Sequence, residues 1–144
     1  MNQILSNSSA KPFSDIGTLN LSQYSDLRAL SIRQPWCHHI LNSGKDIENR
    51  TWRTNFRGPV LIHASKKAED PAYCRQVNAP LGGIVGVMEI VDCVDHSDSK
   101  WFQDPYGFVI RNAKPLQFIP CKGRLGFFKP DLSAALETSQ GALI

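Results

Sequence analysis

The sequence predicts a mixed α+β protein that is mainly β, built as a small six-stranded barrel with two or three short flanking helices. About six segments alternate in polarity or are rich in β-branched and aromatic residues, and turn residues separate them. Closing such short strands into a barrel removes exposed sheet edges. The chain of 144 residues, 42% hydrophobic and 20% charged, suits one domain with one core.

The first elements follow from turn and helix signals. Residues 1–26 are rich in Ser and Asn and predict a loose N-terminal extension. The stretch LRALSIRQP alternates and predicts a strand that stops at Pro35. The next stretch, PWCHHILNSG, predicts a short helix, with Pro35 at its first position and Gly44 just beyond its end.

Two strands and a broken helix follow. The stretch KDIENRTW predicts a strand that places Glu48, Arg50 and Trp52 on one face. The apolar stretch PVLIHAS predicts another strand. The next stretch, KKAEDPAYCRQVNAPLGG, predicts a broken helix in which Pro71 lies near the start or at a break.

The second half is predicted to be almost entirely β. The stretch GIVGVMEIVDCVD is apolar on both faces and predicts a central strand. The stretch YGFVIRNAKPLQF predicts a strand, a turn near Lys114 and Pro115, and a candidate next strand. The last strand is predicted in GRLGFFKP. The domain is therefore expected to span residues 27–130, with a tail at 131–144 that is a short helix or a frayed end.

Charge and cysteine content narrow the class of protein. A net charge of +3 and a pI of about 8.7 permit a nucleic-acid partner without arguing for one. No apolar run approaches the ~20 residues of a membrane span, so no membrane association and a cytoplasmic location are expected. None of the four cysteines lies in a C-x-x-C pair, which predicts reduced thiols, no metal and no cofactor.

Six ordered segments carry a family resemblance. They read ALSIRQPW, SGKDIENRTW, RGPVLIHAS, GGIVGVMEIVDCVD, WFQDPYGFVIRNAKPL and CKGRLGFF. The chain resembles the ASCH (activating signal cointegrator homology) domain over roughly residues 28–129. The family hallmark is G-x-K-x-x-E-x-R. This chain keeps the last part as Lys45, Glu48 and Arg50, with Gly44 one residue closer to the lysine than in the hallmark.

The resemblance implies a PUA-like fold and an RNA or modified nucleotide bound in a cleft beside the barrel. It also implies an enzymatic alternative, because some relatives are ribonucleases and one is an amidohydrolase that removes acetyl from N4-acetylcytidine. That enzyme uses a threonine and a lysine. Lys45 and Arg50 match its lysine and arginine, whereas Glu48 occupies the position of the threonine. Since a carboxylate does not form the same ester intermediate, a hydrolase built here would use Glu48 and Lys45 to activate water.

The candidate site combines charged and aromatic side chains. Those expected to contact a ligand are Lys45, Glu48, Arg50, Trp36, Trp52, His63 and Ser65. Those expected to follow an RNA backbone are Arg33, Arg57, Lys66, Arg111 and Lys122. Tryptophans offer faces on which an unpaired base stacks.

A structural role remains open for several of these residues. Glu48 and Arg50 are predicted to form an ion pair that serves only stability or also a site. Trp36 fits a core position, and His63 fits a buried, hydrogen-bonded histidine. Glu89, on an otherwise apolar strand face, is either a general acid or base or the partner of a nearby polar group. A protein-interaction adaptor with no nucleic-acid role is the further alternative.

Overall fold

The computed structural model describes residues 21–133, which form six strands and three short helices. In chain order these are α1 Leu21–Tyr24, β1 Ala29–Gln34, α2 Trp36–Asn42, β2 Ile47–Arg50, β3 Gly58–Ala68, α3 Pro71–Val77, β4 Gly83–Val94, β5 Tyr106–Pro120 and β6 Phe127–Phe128. The mixed, mainly β class predicted from the sequence is confirmed. Within the described residues, no helix has the length and apolar character needed to cross a membrane.

The six strands form one curled sheet, a half-barrel, in the order β2-β5-β4-β3-β1-β6. The pair β1–β3 is parallel, whereas the other pairs are antiparallel. The stretch that joins β1 to β3 contains α2 and β2, and parallel neighbours need a long connection of this kind. As the sequence predicted, β4 is central, because both of its neighbours are long strands.

The core lies inside the curl, and α2 covers part of it. The larger cluster includes Leu30, Ile62, Met88 and Phe108, each 0% exposed. Burying each such side chain contributes about 1.5–3 kcal/mol relative to leaving it in water. A Cβ on Gly86 would lie 2.9 Å from Leu41 of α2 and 2.6 Å from the carbonyl oxygen of Lys114. The helix therefore sits closely on β4 because Gly86 has no side chain.

The predicted turn near Lys114 and Pro115 is wrong, because β5 runs continuously through both residues. Strand β2 pairs only with Tyr106–Val109, so the later part of β5 has a free edge, where proline is tolerated. Bending occurs through a left-handed residue, Asn112 at φ 56°, and through register shifts against β4. The chain thus curls where the sequence pattern indicated a reversal.

Both predicted helices are present, but the second is shorter than predicted, because Lys66, Lys67 and Ala68 belong to β3 and α3 covers only Pro71–Val77. Pro35 precedes α2 and is not its first residue, whereas Pro71 is the first residue of α3. The Asp70 carboxylate accepts a 3.1 Å hydrogen bond from the backbone N–H of Tyr73 and caps α3. Gly44 has φ +74°, a conformation that glycine adopts at low cost, and it turns the chain from α2 into β2.

The ends of the domain are described only in part. Within the predicted N-terminal extension, Leu21–Tyr24 form one helical turn, and Tyr24 and Leu27 pack against a second core cluster. Residues 1–20 and 134–144 lie outside the described residues. The predicted boundaries at residues 26 and 131 therefore stay predictions.

Candidate ligand-binding cleft

A cleft of about 1100 Å³ opens where β1, β2 and β3 face the loops before β5 and β6. Its lining comes from strands that are distant in sequence but close in the curled sheet. The residues that line it are Ser31, Arg33, Trp36, Lys45, Glu48, Asn49, Arg50, Thr51, Trp52, His63, Ser65, Lys66, Glu69, Lys100, Trp101, Gln103, Lys122, Gly123, Arg124, Leu125 and Gly126.

The cleft concentrates positive charge. Seven of its lining residues are basic and two are acidic, whereas the whole chain carries a net charge of only +3. Five of the seven have exposed side chains, namely Arg33, Lys66, Lys100, Lys122 and Arg124. No ion pair joins any of these five to another residue of the described part of the chain. Positive charge in a concave surface attracts and retains anions.

All three tryptophans of the chain line this cleft. The Trp36 indole N–H donates a hydrogen bond to the Glu69 carboxylate, and its ring also packs against the core. Trp52 meets the Phe108 ring edge to face at 5.2 Å between centroids. Trp101 lies in the loop before β5, with the Lys100 ammonium 5.2 Å from its ring centroid. Trp36 and Trp52 therefore pack against the core and also line the cleft, whereas Trp101 lines the cleft from a loop and is not part of the core cluster.

The motif residues form one charged cluster in the cleft wall. The Glu48 carboxylate lies between two cations, with Oε2 3.0 Å from Arg50 Nη2 and Oε1 3.4 Å from Lys45 Nζ. Lys45 Nζ also donates to the carbonyl oxygen of Ile47. The side chains of Lys45 and Glu48 are only 3% and 9% exposed. The predicted ion pair between Glu48 and Arg50 is present, and Lys45 joins it.

Strand β2 is an edge strand, yet the charged side chains of Glu48 and Arg50 do not point to bulk water. It is the first strand in the sheet order, and Glu48 is buried beneath the cleft surface. Arg50 Nη2 donates a 2.8 Å hydrogen bond to the Ser31 carbonyl oxygen on β1. The guanidinium therefore bridges from one edge of the half-barrel to a strand near the other edge.

Ser31 and His63 form a second polar group in the cleft. They are register partners on the parallel strands β1 and β3, with 2.9 Å between Ser31 Oγ and His63 Nδ1. His63 Nε2 lies 2.8 Å from the Cys121 carbonyl oxygen. Burial lowers the pKa of His63 below its ordinary value of 6.5, an effect that the Cys121 hydrogen bond partly opposes. The reading of His63 as a buried, hydrogen-bonded histidine is correct in its geometry.

The structure brings most of the sequence-predicted site residues into this one cleft. These are Lys45, Glu48, Arg50, Trp36, Trp52, His63, Ser65, Arg33, Lys66 and Lys122. Arg57 and Arg111 lie elsewhere. The Arg57 guanidinium donates to the carbonyl oxygens of Thr54 and Phe56, and Arg111 pairs in register with Glu89 in the sheet. Glu89 accepts a 2.8 Å hydrogen bond from Asn112, which fits the structural reading of that carboxylate.

Sequence reasoning missed the loop before β5. Lys100, Trp101 and Gln103 line the cleft, and Asn49 fixes their loop because its side chain donates to the Trp101 carbonyl and accepts from the Gln103 N–H. A tryptophan beside a lysine in a polar loop is the signal that could have found it. Ser31 was also missed, since alternation gives its face but not its neighbour.

The four cysteines are all free thiols, as the sequence predicted. Cys37 lies in the core, where its thiol donates to the Ile32 carbonyl oxygen at 3.2 Å. Burial raises the pKa of Cys37 far above its usual value, and the nearby Glu48 charge adds to the effect. This thiol therefore stays protonated and acts as a small apolar group.

The half-barrel and its cleft, which is lined by basic residues and tryptophans, define a small β-rich domain with one large polar cleft. The chain belongs to the ASCH domain family, whose family model matches residues 30–128. It is 26% identical over 127 residues to Activating signal cointegrator 1 of Homo sapiens, covering 71% of this chain and 22% of that protein. Against Activating signal cointegrator 1 of Mus musculus, the identity is 25% over 109 residues, covering 65% and 18%. The chain thus spans about a fifth of the length of the curated relatives it matches.

Proposed function

We propose that this ASCH domain binds single-stranded RNA, or a modified nucleotide within it, in the cleft. The observation that carries the proposal is that seven basic residues and all three tryptophans of the chain line one cavity. Exposed lysines and arginines neutralise phosphates, whereas indole rings stack on unpaired bases. The family resemblance points in the same direction, because ASCH domains are associated with RNA.

The basic residues that pair with Glu48 and those that are exposed at the rim of the cleft have different roles in RNA binding. Lys45 and Arg50 are held by Glu48 in the wall, so they shape the cleft and give its floor a fixed polar surface. Arg33, Lys66 and Lys122 are exposed on β1, on β3 and in the loop before β6, which leaves their charged ends for a nucleotide backbone. A strand of RNA would therefore meet charge at the rim and aromatic or hydrogen-bonding groups inside.

The test is a titration of fluorescently labelled single-stranded RNA of mixed sequence with the purified protein, at several salt concentrations. We expect affinity to fall as salt rises, because each neutralised phosphate releases counterions. Absence of binding to any RNA at low salt would refute the proposal. Binding that is insensitive to salt would favour the adaptor alternative, in which the cleft faces a protein.

A hydrolase using the same cleft is the second candidate. The favouring observation is the Glu48 carboxylate in the cleft wall, held in position by Lys45, since a positioned carboxylate can accept a proton from water in general-base hydrolysis. Incubation with mixed RNA and with N4-acetylcytidine tests both reactions, a ribonuclease and an amidohydrolase. Turnover that disappears in Lys45→Ala and in Glu48→Gln supports this candidate, and unchanged substrates leave the domain as a binding module.

A further inference from the structure

The hydrogen bonds around His63 fix the positions of its proton and lone pair. The Cys121 carbonyl oxygen can only accept, so the ring nitrogen beside it, Nε2, carries the proton and donates at 2.8 Å. In the neutral ring, Nδ1 then carries the lone pair and accepts the Ser31 hydroxyl proton at 2.9 Å. The Ser31 hydroxyl therefore donates to the neutral His63 imidazole, and the Cys121 carbonyl oxygen orients that ring through its other nitrogen.

The placement of this pair leaves the serine facing the cleft and the histidine behind it. Ser31 is partly exposed, whereas His63 is 1% exposed, and both line the cavity. A Cβ on Gly123 would lie 2.7 Å from His63 Cε1 and 3.1 Å from Ser31 Oγ. The loop before β6 therefore packs against His63 and one side of Ser31 as closely as a glycine allows, and it holds the imidazole in position.

We propose that Ser31 is a nucleophile and His63 its general base, forming an acyl-transfer site in the cleft that acts on an ester or amide of an anionic ligand. A nucleophile and a base within hydrogen-bond distance, with the base oriented by a third group, is the arrangement that such chemistry requires. The proposed nucleophile and base are different residues from the Lys45 and Glu48 pair of the hydrolase candidate, and Arg50 links the two groups through the Ser31 carbonyl oxygen.

The proposed acyl transfer from the ligand to Ser31, followed by hydrolysis, consumes water as its only co-reactant. Ser31 Oγ forms a bond to the acyl carbon while its proton moves to His63 Nδ1, and the Cys121 carbonyl holds the resulting imidazolium through Nε2–H. The proton then passes to the leaving oxygen or nitrogen as its bond to the acyl carbon breaks. Water attacks the acyl-serine, gives a proton to Nδ1, and the acid leaves as that proton returns to Oγ.

The class of substrate follows from the surroundings of Ser31 and rests on the proposed function of the cleft. Arg33 is two residues along the same strand as Ser31, and Lys122 precedes Gly123, the glycine that packs against the pair. An acylated molecule with a phosphate and an aromatic ring, such as an acylated nucleotide, fits these groups. Phosphate on the rim would place the acyl carbon inside the cleft, near Ser31.

The chain contains an internal comparison for the pair. Ser43 Oγ lies 2.9 Å from His39 Nδ1, the same residue types at the same distance, but in the exposed end of α2 and outside the lining of the cleft. A serine–histidine contact that only stabilises structure would be as unreactive in the cleft as at this helix end. The difference in reactivity between the two serines is therefore the quantity to measure.

The experiment treats the full chain with a fluorophosphonate probe, which reacts with activated serine hydroxyls, and maps the modified residue by mass spectrometry. We expect modification at Ser31 and none at Ser43. Ser31→Ala should abolish labelling, Ser43→Ala should leave it unchanged, and Gly123→Ala should slow it because the added methyl displaces His63. A wild-type protein that stays unmodified at Ser31, or that labels both serines equally, overturns the proposal.

A second measurement separates this inference from RNA binding. The same variants are titrated with single-stranded RNA, and p-nitrophenyl acetate serves as a simple ester substrate. Labelling and ester turnover without RNA binding would refute the proposed function and retain the acyl-transfer site. RNA binding with no labelling at Ser31 and no ester turnover would refute the site and retain the binding function. Circular dichroism of Ser31→Ala confirms that loss of labelling is not loss of fold.

Discussion

The Arg50 guanidinium joins β2 to β1 through a 2.8 Å hydrogen bond from Nη2 to the Ser31 carbonyl oxygen. These strands occupy the first and fifth positions of the sheet, so no backbone ladder connects them. Strand β6 pairs only with Ala29 and Leu30, which leaves the Ser31 carbonyl free of that strand and available to the arginine. The Arg50 side chain therefore ties the β2 edge of the half-barrel to β1 at the cleft.

Arg50→Ala should lower the melting temperature markedly. The substitution removes the bridge to Ser31 and also leaves the Glu48 carboxylate, which is 9% exposed, with Lys45 as its remaining cation. Breaking a buried ion pair from one side costs about 3–5 kcal/mol. Thermal melts and urea unfolding measure the loss, and Arg50→Lys should recover only part of it because an ammonium lacks the planar fork.

Arg53→Ala is the matched control for that loss. Arg53 pairs with Asp95 at 3.1 Å, but the two side chains are 57% and 67% exposed. Exposed pairs contribute about 0–1 kcal/mol, so this variant should melt close to the wild type. Equal destabilisation by Arg50→Ala and Arg53→Ala would contradict the role assigned to the Arg50 bridge.

Glu48→Gln should keep the fold, because the amide oxygen still accepts from the Arg50 guanidinium. It should melt somewhat below the wild type, since buried Lys45 loses its counter-charge. It should also abolish any hydrolysis that relies on a carboxylate base. Melts and turnover assays on the same preparation test this. Wild-type behaviour in binding and turnover would make Glu48 a purely structural residue.

Arg33→Ala should weaken RNA binding uniformly across sequences and reduce the slope of log affinity against log salt by about one unit. Arg33 is exposed on β1 at the cleft. Arg75→Ala removes another exposed arginine, on α3 and outside the cleft, and should leave the slope unchanged. Salt titrations of both variants provide the comparison, and equal slopes would argue against binding at the cleft.

Trp101→Ala should cost about 1–3 kcal/mol of RNA-binding free energy if a base stacks on this ring. The Trp101 ring lies 5.5 Å from the His39 ring between centroids but belongs to neither core cluster, so only a small loss of stability is expected. Trp52→Ala is expected to behave differently, because Trp52 packs on Phe108 and Phe127 and its loss leaves a core cavity. Binding titrations and melts on the two variants separate the roles. A Trp101→Ala variant that binds like wild type would remove that ring from the site.

Stability should fall as the solution is acidified below about pH 6.5. Burial lowers the pKa of both His63 and His39 below 6.5, and the charges of His38 and Lys45 lower that of His39 further. The unfolded chain therefore binds more protons than the folded one as pH falls. The stabilisation is complete above the unfolded pKa and is lost towards the lower folded pKa.

Melts at about pH 7.5 and about pH 5.5 test this, above the range in which most carboxylates titrate. His63→Gln should narrow the difference in melting temperature, because glutamine can hold both hydrogen bonds without titrating. An unchanged difference in that variant would exclude His63 as a source of the pH dependence.

The sequence by itself determined the family, the mainly β class and most element positions. Local chemistry suffices for these features: proline favours the first turn of a helix, as at Pro71, and glycine accepts the positive φ found at Gly44. The K-x-x-E-x-R spacing also predicted the ion pair between Glu48 and Arg50, because alternate residues of a strand share a face. Such relations depend only on neighbours along the chain.

Only the tertiary structure decided which distant residues share the cleft. Strand parity assigns a side chain to a face but does not give the curl of the sheet, so it could not bring Arg50 to Ser31 or remove Arg57 and Arg111 from the site. It also could not show that β5 continues through Lys114 and Pro115 without reversing. Curl arises from twist, bulges and packing summed over all six strands, and that sum is a property of the folded sheet.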